Sequence, residues 1–399
     1  MNSFACRAFQ CCFGAGARLL PWRTPEVYTG DGSLLRVADI LRENSLLHPF
    51  VIASRRQCAD EHFRRLQEVL DMQDILLSIF SAVEPNPSVE TVEKIAEQYR
   101  IDRCDCFLVI GGGSPMDAAK AAAALLVRPN RSLSSLAGLL KVRRRIPPFI
   151  AVPTTAGTGS ETTIAAVITG RDHRKYAISD LCLIPRYAIL DPTLSAGLPP
   201  HITAETGMDA LTHAVEAYLS RFYSTRKTRA QAERAVVTIF SHLERAYRDG
   251  ASLPDRAAML QASFDAGAAF TRASVGNVHA IAHTLGGLYG TAHGLANAVL
   301  LPIVLEDYGA AAYPRLARLA HLVGIQEASA EASARAFIAE IRAMNARMGI
   351  PDHFDCIRSE DIPLMASWAC REAHPVYPVP VIYDQARFAR VIERSCVKP

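Results

Sequence analysis

The pattern of the chain changes once, at Leu198-Pro199-Pro200, and that change limits what it can fold into. From about Pro25 to Pro200, short apolar runs alternate with helical stretches. PFVIAS (from Pro49), CFLVIGGG (from Cys106), FIAVPTT (from Phe149) and YAILDP (from Tyr187) read as buried strands. VETVEKIAEQYR (Val89 to Arg100) and PMDAAKAAAALLV (Pro115 to Val127) carry helical periodicity and strong helix formers. Such alternation predicts a parallel sheet with helices on its faces. After Ile202 the strand signal almost vanishes. Stretches such as Thr228 to Tyr247, Leu260 to Ala269 and Ala328 to Met348 predict a helical bundle, punctuated by Pro302, Pro314 and Pro351. The expected organisation is an arm over 1–24, an α/β domain over 25–200 and an all-α domain over 201–399, with a cleft between the domains as the natural place for a ligand.

Composition narrows the function classes. Lys and Arg number 43 against 40 Asp and Glu, and the net charge of +3 comes from interspersed signs, so no nucleic-acid partner is expected. No window approaches the roughly 18 uninterrupted apolar residues of a membrane helix, so no membrane is expected either. Ten cysteines in a chain of 399 residues do not read as a disulfide framework, and no paired CxxC zinc pattern exists. Cys104 and Cys106, at strand spacing, are expected as buried thiols in a reducing compartment. The first residues carry Arg7, Arg18 and Arg23 and no acid before Glu26, like a weak organellar presequence, yet without a secretory core. The expected location is the cytoplasm, with the mitochondrial matrix as the alternative.

Three motifs carry chemistry. GGGSPMD (Gly111 to Asp117) follows the strand FLVI and opens a helix. Its glycines permit close backbone approach, Pro115 suits a first helical position, and Ser114 is a good N-cap with Asp117 three residues on. A helix N-terminus stripped of side chains suits a pyrophosphate. PTTAGTGSE (Pro153 to Glu161) places Thr154, Thr155, Thr158 and Ser160 after another strand, where a ribose or phosphate could be bound. A dinucleotide site usually has a carboxylate after its second strand; here PFVIAS ends in Ser54 and runs into Arg55 and Arg56. A hydroxyl and two guanidiniums suit a ribose 2′-phosphate, unless the arginines simply face solvent at a helix start.

The third motif lies in the helical half. MDALTHAVEAY spaces Asp209 and His213 four apart, and VHAIAHTLGGLYGTAHG does the same for His279 and His283, with His293 ten residues further on. Five polar residues thus project from Ala-, Leu- and Val-rich stretches. Three imidazoles and a carboxylate suit Fe(II) or Zn(II) rather than Ca(II) or Mg(II), which leaves one histidine for proton transfer. A metal with a dinucleotide loop suggests hydride transfer to a polarised carbonyl.

GGGSPMDAAK, PTTAGTGSE, GMDALTHAVEAY and HAIAHTLGGLYGTAHGLANAVLLP closely resemble the iron-containing (group III) alcohol dehydrogenase family, from roughly Pro21 to the C-terminus. The resemblance implies a Rossmann-like nucleotide-binding domain and a helical domain, as in the related dehydroquinate synthase architecture. It implies Asp209, His213, His279 and His293 as metal ligands and His283 as the non-ligand histidine near the nicotinamide. Gly112, Gly113 and Ser114 would meet the pyrophosphate, and Asn86, Thr154, Thr155, Thr163, Lys175 and Leu194 fall at cofactor-contacting positions. Ser54 departs from the Asp common in NAD-using members, so NADP is expected to serve at least as well as NAD. A homodimer is implied too.

Arg272 lies seven residues before His279 and eleven before His283, so an uninterrupted helix would align all three. It could then hold the anionic tail of an acidic semialdehyde, with Phe270 and Val275 helping to wall the pocket. Otherwise a simple short-chain alcohol or aldehyde is expected; a dehydroquinate synthase-type lyase is the remote alternative.

Overall fold

The four apolar runs read as strands lie side by side in one parallel sheet. The computed structural model describes residues 3–171 and 175–396. Its strands are β1 (Glu26–Thr29), β2 (Pro49–Ala53), β3 (Ser78–Phe80), β4 (Cys106–Gly111), β5 (Gly138–Leu139), β6 (Phe149–Pro153), β7 (Ala165–Thr169), β8 (Lys175–Ser179) and β9 (Tyr187–Leu190). Six form a sheet in the order β1-β9-β6-β4-β2-β3, every pairing parallel. The short strands β5, β8 and β7 make a separate sheet, with β7 and β8 antiparallel.

Both faces of the larger sheet are covered, so β2, β4 and β6 are buried at every position. Phe50, Ile52, Phe107 and Val109 enter one core, while Val51, Ala53, Leu108 and Ile110 enter the other, as the two-residue period of a strand requires. Cys104 and Cys106 are buried thiols divided between these cores, and all ten cysteines are free. Burial pushes the Cys104 thiol up to about 11. The chain leaves β2 toward β3 but leaves β4 toward β6, in the opposite direction. The carboxyl ends of β2 and β4 therefore flank the switch point at which open α/β sheets bind ligands. Ser54 follows one of these ends and Gly112 the other.

Contacts gather Pro21–Ala196 into this α/β unit, and everything from Gly197 onward into a helical one. The helices read from sequence run Arg226–Arg248, Leu253–Ala273 and Ala330–Arg347. Within the segment expected as an arm, the helix Ser3–Ala17 packs on the helical unit. Arg7 donates to the carbonyls of Val379 and Pro380 at 2.7 and 2.9 Å, and buried Gln10 donates to those of Pro375 and Tyr377 at 3.0 and 2.7 Å.

Pro302 does not punctuate the bundle as expected. It lies inside the helix His293–Tyr308. A proline there has no N–H for the carbonyl four residues earlier, that of Ala298. The buried Asn345 side chain donates to the Ala298 carbonyl at 2.7 Å instead, from the neighbouring helix Ala330–Arg347. Replacing Asn345 with Ala should therefore destabilise the protein by about 1–3 kcal/mol, the usual cost of orphaning a buried polar group. Equilibrium denaturation of wild type and N345A checks this; unchanged stability would show that the carbonyl needs no donor.

Candidate metal centre and cofactor loops

Asp209 and His213 sit one turn apart on the helix Pro200–Leu219, His279 lies near the start of Asn277–Tyr289, and His293 opens His293–Tyr308. One donor atom from each lies within 4.8 Å of the others. The Asp209 Oδ1 is 3.7 Å from His213 Nδ1, 3.8 Å from His279 Nε2 and 3.7 Å from His293 Nε2. These separations are slightly wider than the edge of a tetrahedral shell with bonds of about 2.1 Å, roughly 3.4 Å. Asp209 is only 2% exposed, and no Lys or Arg pairs with it among the described residues. A carboxylate so buried needs a positive partner, and a divalent cation amid three imidazoles is the partner these donors fit.

Burial, aided by His213, His293 and His283, holds the His279 imidazole well below its ordinary range, in the neutral form that ligates. Its orientation is set from behind. His279 Nδ1 lies 2.7 Å from the carboxylate of Glu216, which also accepts from the backbone N–H of Gly276 and Val278 at 2.7 and 2.8 Å. With Nδ1 as donor, Nε2 keeps its lone pair for the centre. Glu216 thereby caps a helix whose own N-cap, Gly276, offers no side chain. A Cβ on Gly276 would stand 2.6 Å from Glu216 Oε1, so this approach requires glycine. Burial pushes the Glu216 carboxyl up to about 8 against the pull of those N–H groups.

Asn297, one turn after His293, directs its amide nitrogen into the ligand set: 2.7 Å from Asp209 Oδ1 and 3.2 Å from both His279 Nε2 and His293 Nε2. Its Oδ1 is buried without a partner. Neither Glu216 nor Asn297 was singled out in the sequence, though Asp209, His213 and Glu216 follow the i, i+4, i+7 spacing of one helical face.

His283 stands beside this group, its ring stacked on that of His293 at 5.2 Å. Its Nδ1 is 2.6 Å from Glu372, which also accepts from the Tyr377 hydroxyl at 2.7 Å. Phe270 stacks on His213 at 4.1 Å. The helix that would align Arg272 with His279 and His283 is broken. It ends at Ala273, Ser274 adopts φ 68°, Val275 lies in the break, and the next helix starts at Asn277. Burial, then Arg18, lowers the Arg272 guanidinium below its usual range.

The α/β unit presents its own site. The helix after β4 is Gly113–Val127, and its N-cap is Gly112, not Ser114; Pro115 is its third residue. Asp117 forms no capping box but lies half-buried, accepting from Ser160 Oγ and the Val167 N–H, both at 3.0 Å. Cβ atoms on Gly112 and Gly113 would fall 3.0 Å from Thr155 Oγ1 and 2.8 Å from Thr158 Cγ2, so the glycines let the two loops touch. Ser114 Oγ accepts from the N–H of Asn86, whose Oδ1 accepts from Lys175 Nζ at 2.8 Å. Ser54 caps the helix Arg55–Cys58 in a capping box with Gln57, and Gln57 donates to Thr154 Oγ1 at 3.0 Å. Arg55 and Arg56 are exposed.

Thr163 lies beneath this surface, its hydroxyl 2.9 Å from the buried Lys120 Nζ. Lys120 also donates to the carbonyls of Ser160, Thr163 and Ala165, and burial pulls it down to about 8. Leu194 ends a turn after β9, two strands from β4.

The family model described as iron-containing alcohol dehydrogenase matches residues 24–192, and the C-terminal model of the same family matches 203–395. The chain belongs to the iron-containing alcohol dehydrogenase family. It is 40% identical to the 1,3-propanediol dehydrogenase of Klebsiella pneumoniae over 75% of this chain and 78% of that one. A crystal structure of a 1,3-propanediol oxidoreductase superposes with a TM-score of 0.90 at 33% identity, covering 95% of this chain and 100% of that one. The NAD+ complex of sulfoacetaldehyde reductase from Bifidobacterium kashiwanohense gives 0.83 at 28% identity, covering 96% and 100%. The protein is thus a metal-dependent alcohol dehydrogenase, an oxidoreductase acting on small alcohols or aldehydes.

If Glu216 orients His279, the isosteric E216Q variant should lose metal about 10- to 100-fold more readily, the usual effect of removing such an outer partner. Metal content after dialysis against graded chelator measures this; retention equal to wild type would reject the role.

Proposed function

We propose that the chain interconverts short-chain primary alcohols and aldehydes, with Fe(II) held by Asp209, His213, His279 and His293 and a nicotinamide dinucleotide held by the loops after β2, β4 and β6. The observation that carries this reading is the convergence of four donors, three of them buried and His293 half-buried, within 4.8 Å, backed by Glu216 and Asn297. Zn(II) is the other ion the donor set accepts. Held by these four residues, the ion would supply Lewis acidity toward a substrate oxygen, and the nicotinamide would supply or accept the hydride. Phe270, packed on His213, walls the reacting carbon from water. His283, held through Nδ1 by Glu372 and so indirectly by Tyr377, keeps Nε2 available to take or return the alcohol proton.

Gly112, Gly113 and Ser114 open the helix that receives the pyrophosphate, while Asn86, Lys175, Thr154 and Thr155 flank it; Thr163 acts from below by fixing the loop through Lys120. The break after Ala273 removes the helical alignment on which the anion-anchor reading of Arg272 rested, which favours an uncharged alcohol or aldehyde as substrate. Among the described residues no helix is long and apolar enough to cross a membrane. The free thiols suit the cytoplasm, and a homodimer is the expected assembly.

Stripping the metal with chelator should abolish aldehyde-dependent oxidation of reduced cofactor, and Fe(II) should restore it. Full activity of metal-free protein would overturn the reading. Cofactor choice turns on Ser54. With a hydroxyl in place of a carboxylate, and Arg55 and Arg56 alongside, NADP(H) should serve at least as well as NAD(H) by kcat/KM. S54D keeps a good N-cap, so the helix start survives, and it should move preference toward NAD by about ten-fold or more, some 1.4 kcal/mol. A strong NAD preference in wild type would sink this assignment.

A further inference from the structure

The cofactor loops occupy one edge of the parallel sheet; the opposite edge carries a second feature that hydride transfer does not use. A cavity of about 550 Å³ is lined by Arg23, Arg143, Arg144, Arg145 and Arg186, with Asp180 the acid among its walls. Arg186 immediately precedes β9, Arg143 to Arg145 run up to β6 through Ile146-Pro147-Pro148, and Arg23 lies just before β1. Because these strands are parallel, their starting ends share one edge, and the Gly111–Gly113 loop, which follows the end of β4, lies at the other.

The five guanidiniums are not neutralised. Asp180 spends both oxygens on backbone: Oδ2 accepts from the N–H of Val142 and Arg143 at 3.0 and 2.9 Å, and Oδ1 from that of Cys182 at 3.3 Å. Among the described residues none of the five arginines forms an ion pair. Several are instead held in place by carbonyls. Arg23 donates to Pro185 at 3.1 Å and also to Ile184, Arg144 donates to Val127 at 3.2 Å, and Arg143 donates to Leu140. Arg186 lies over the Tyr187 ring, its Cζ 5.1 Å from the centroid. Each guanidinium has five N–H donors, so most remain for a ligand. Arg186 and Arg145 lie close enough to Arg23 to add to the lowering that burial imposes on it.

We infer that this cavity is an anion site for a small molecule carrying two or more phosphate groups, separate from the dinucleotide site. Guanidinium forks match phosphate oxygens bidentately, and five like charges with a single acid among them are relieved by a multivalent anion. The volume is that of small-molecule pockets, about 300–1,000 Å³. The five arginines, all exposed, line one solvent-open cavity rather than extend into a stripe, which favours a compact ligand over nucleic acid.

The test uses fructose 1,6-bisphosphate as probe, titrated calorimetrically into the metal-loaded enzyme, with inorganic phosphate for comparison. Saturable binding tighter than that of phosphate is expected, weakening at least about ten-fold in R145Q/R186Q. Hydrogen exchange on the wild-type protein locates the probe independently of any variant. Protection over residues 141–147 and 181–186 supports the site. No binding, equal affinity in the double variant, or protection confined to residues 111–116 overturns it, the last because the probe would then sit on the glycine loop.

Discussion

A carboxylate that pairs with no Lys or Arg among the described residues lies buried in the helical unit. Asp209 is buried in the middle of a helix, and the groups around it are imidazoles and an amide. Burying one carboxyl group is costly, and the same helix buries a second, Glu216, two turns further on. Each is compensated differently. Glu216 has two backbone N–H groups and the His279 ring; Asp209 has Asn297 and the space for a cation. Two helices must meet for the Glu216 arrangement and three for that of Asp209, so the packing of the bundle and the chemistry of the centre are one constraint.

That constraint also explains the break between Ala273 and Asn277. Glu216 can cap only a helix that starts beside it, and Gly276 is there because a side chain would collide with the carboxylate. The interruption that takes Arg272 out of line with His279 is the one that creates the helix N-terminus fixing His279. A continuous helix would have aligned Arg272 and removed the free N–H groups that Glu216 now satisfies.

Much of this was legible in the sequence, for identifiable reasons. Asp209, His213, His279 and His293 stand out because rare polar residues at helical spacing interrupt apolar stretches, and β2, β4, β6 and β9 because strands buried on both faces are continuously apolar. Glu216, Asn297 and Glu372 escaped notice since each acts through another residue, and a single polar side chain in a helix does not announce its partner. β1 and β3 are edge strands of four and three residues, too short to carry a pattern. The N-cap at Gly112 rather than Ser114 is the ordinary uncertainty of helix ends. Pro302 misled for a sharper reason: the donor that lets the helix continue comes from Asn345, 47 residues along the chain from the Ala298 carbonyl it serves.

The helix Ser3–Ala17 is sewn to the loop after Ala373 by Arg7 and Gln10. One of the carbonyls that Gln10 holds belongs to Tyr377, whose hydroxyl grips the Glu372 carboxylate beside His283. Two hydrogen-bonding residues, Tyr377 and Glu372, therefore separate Gln10 on that helix from the His283 ring. A substitution at Gln10 thus reaches the orientation of the His283 ring through hydrogen bonds alone, without altering any residue of the Asp209 cluster.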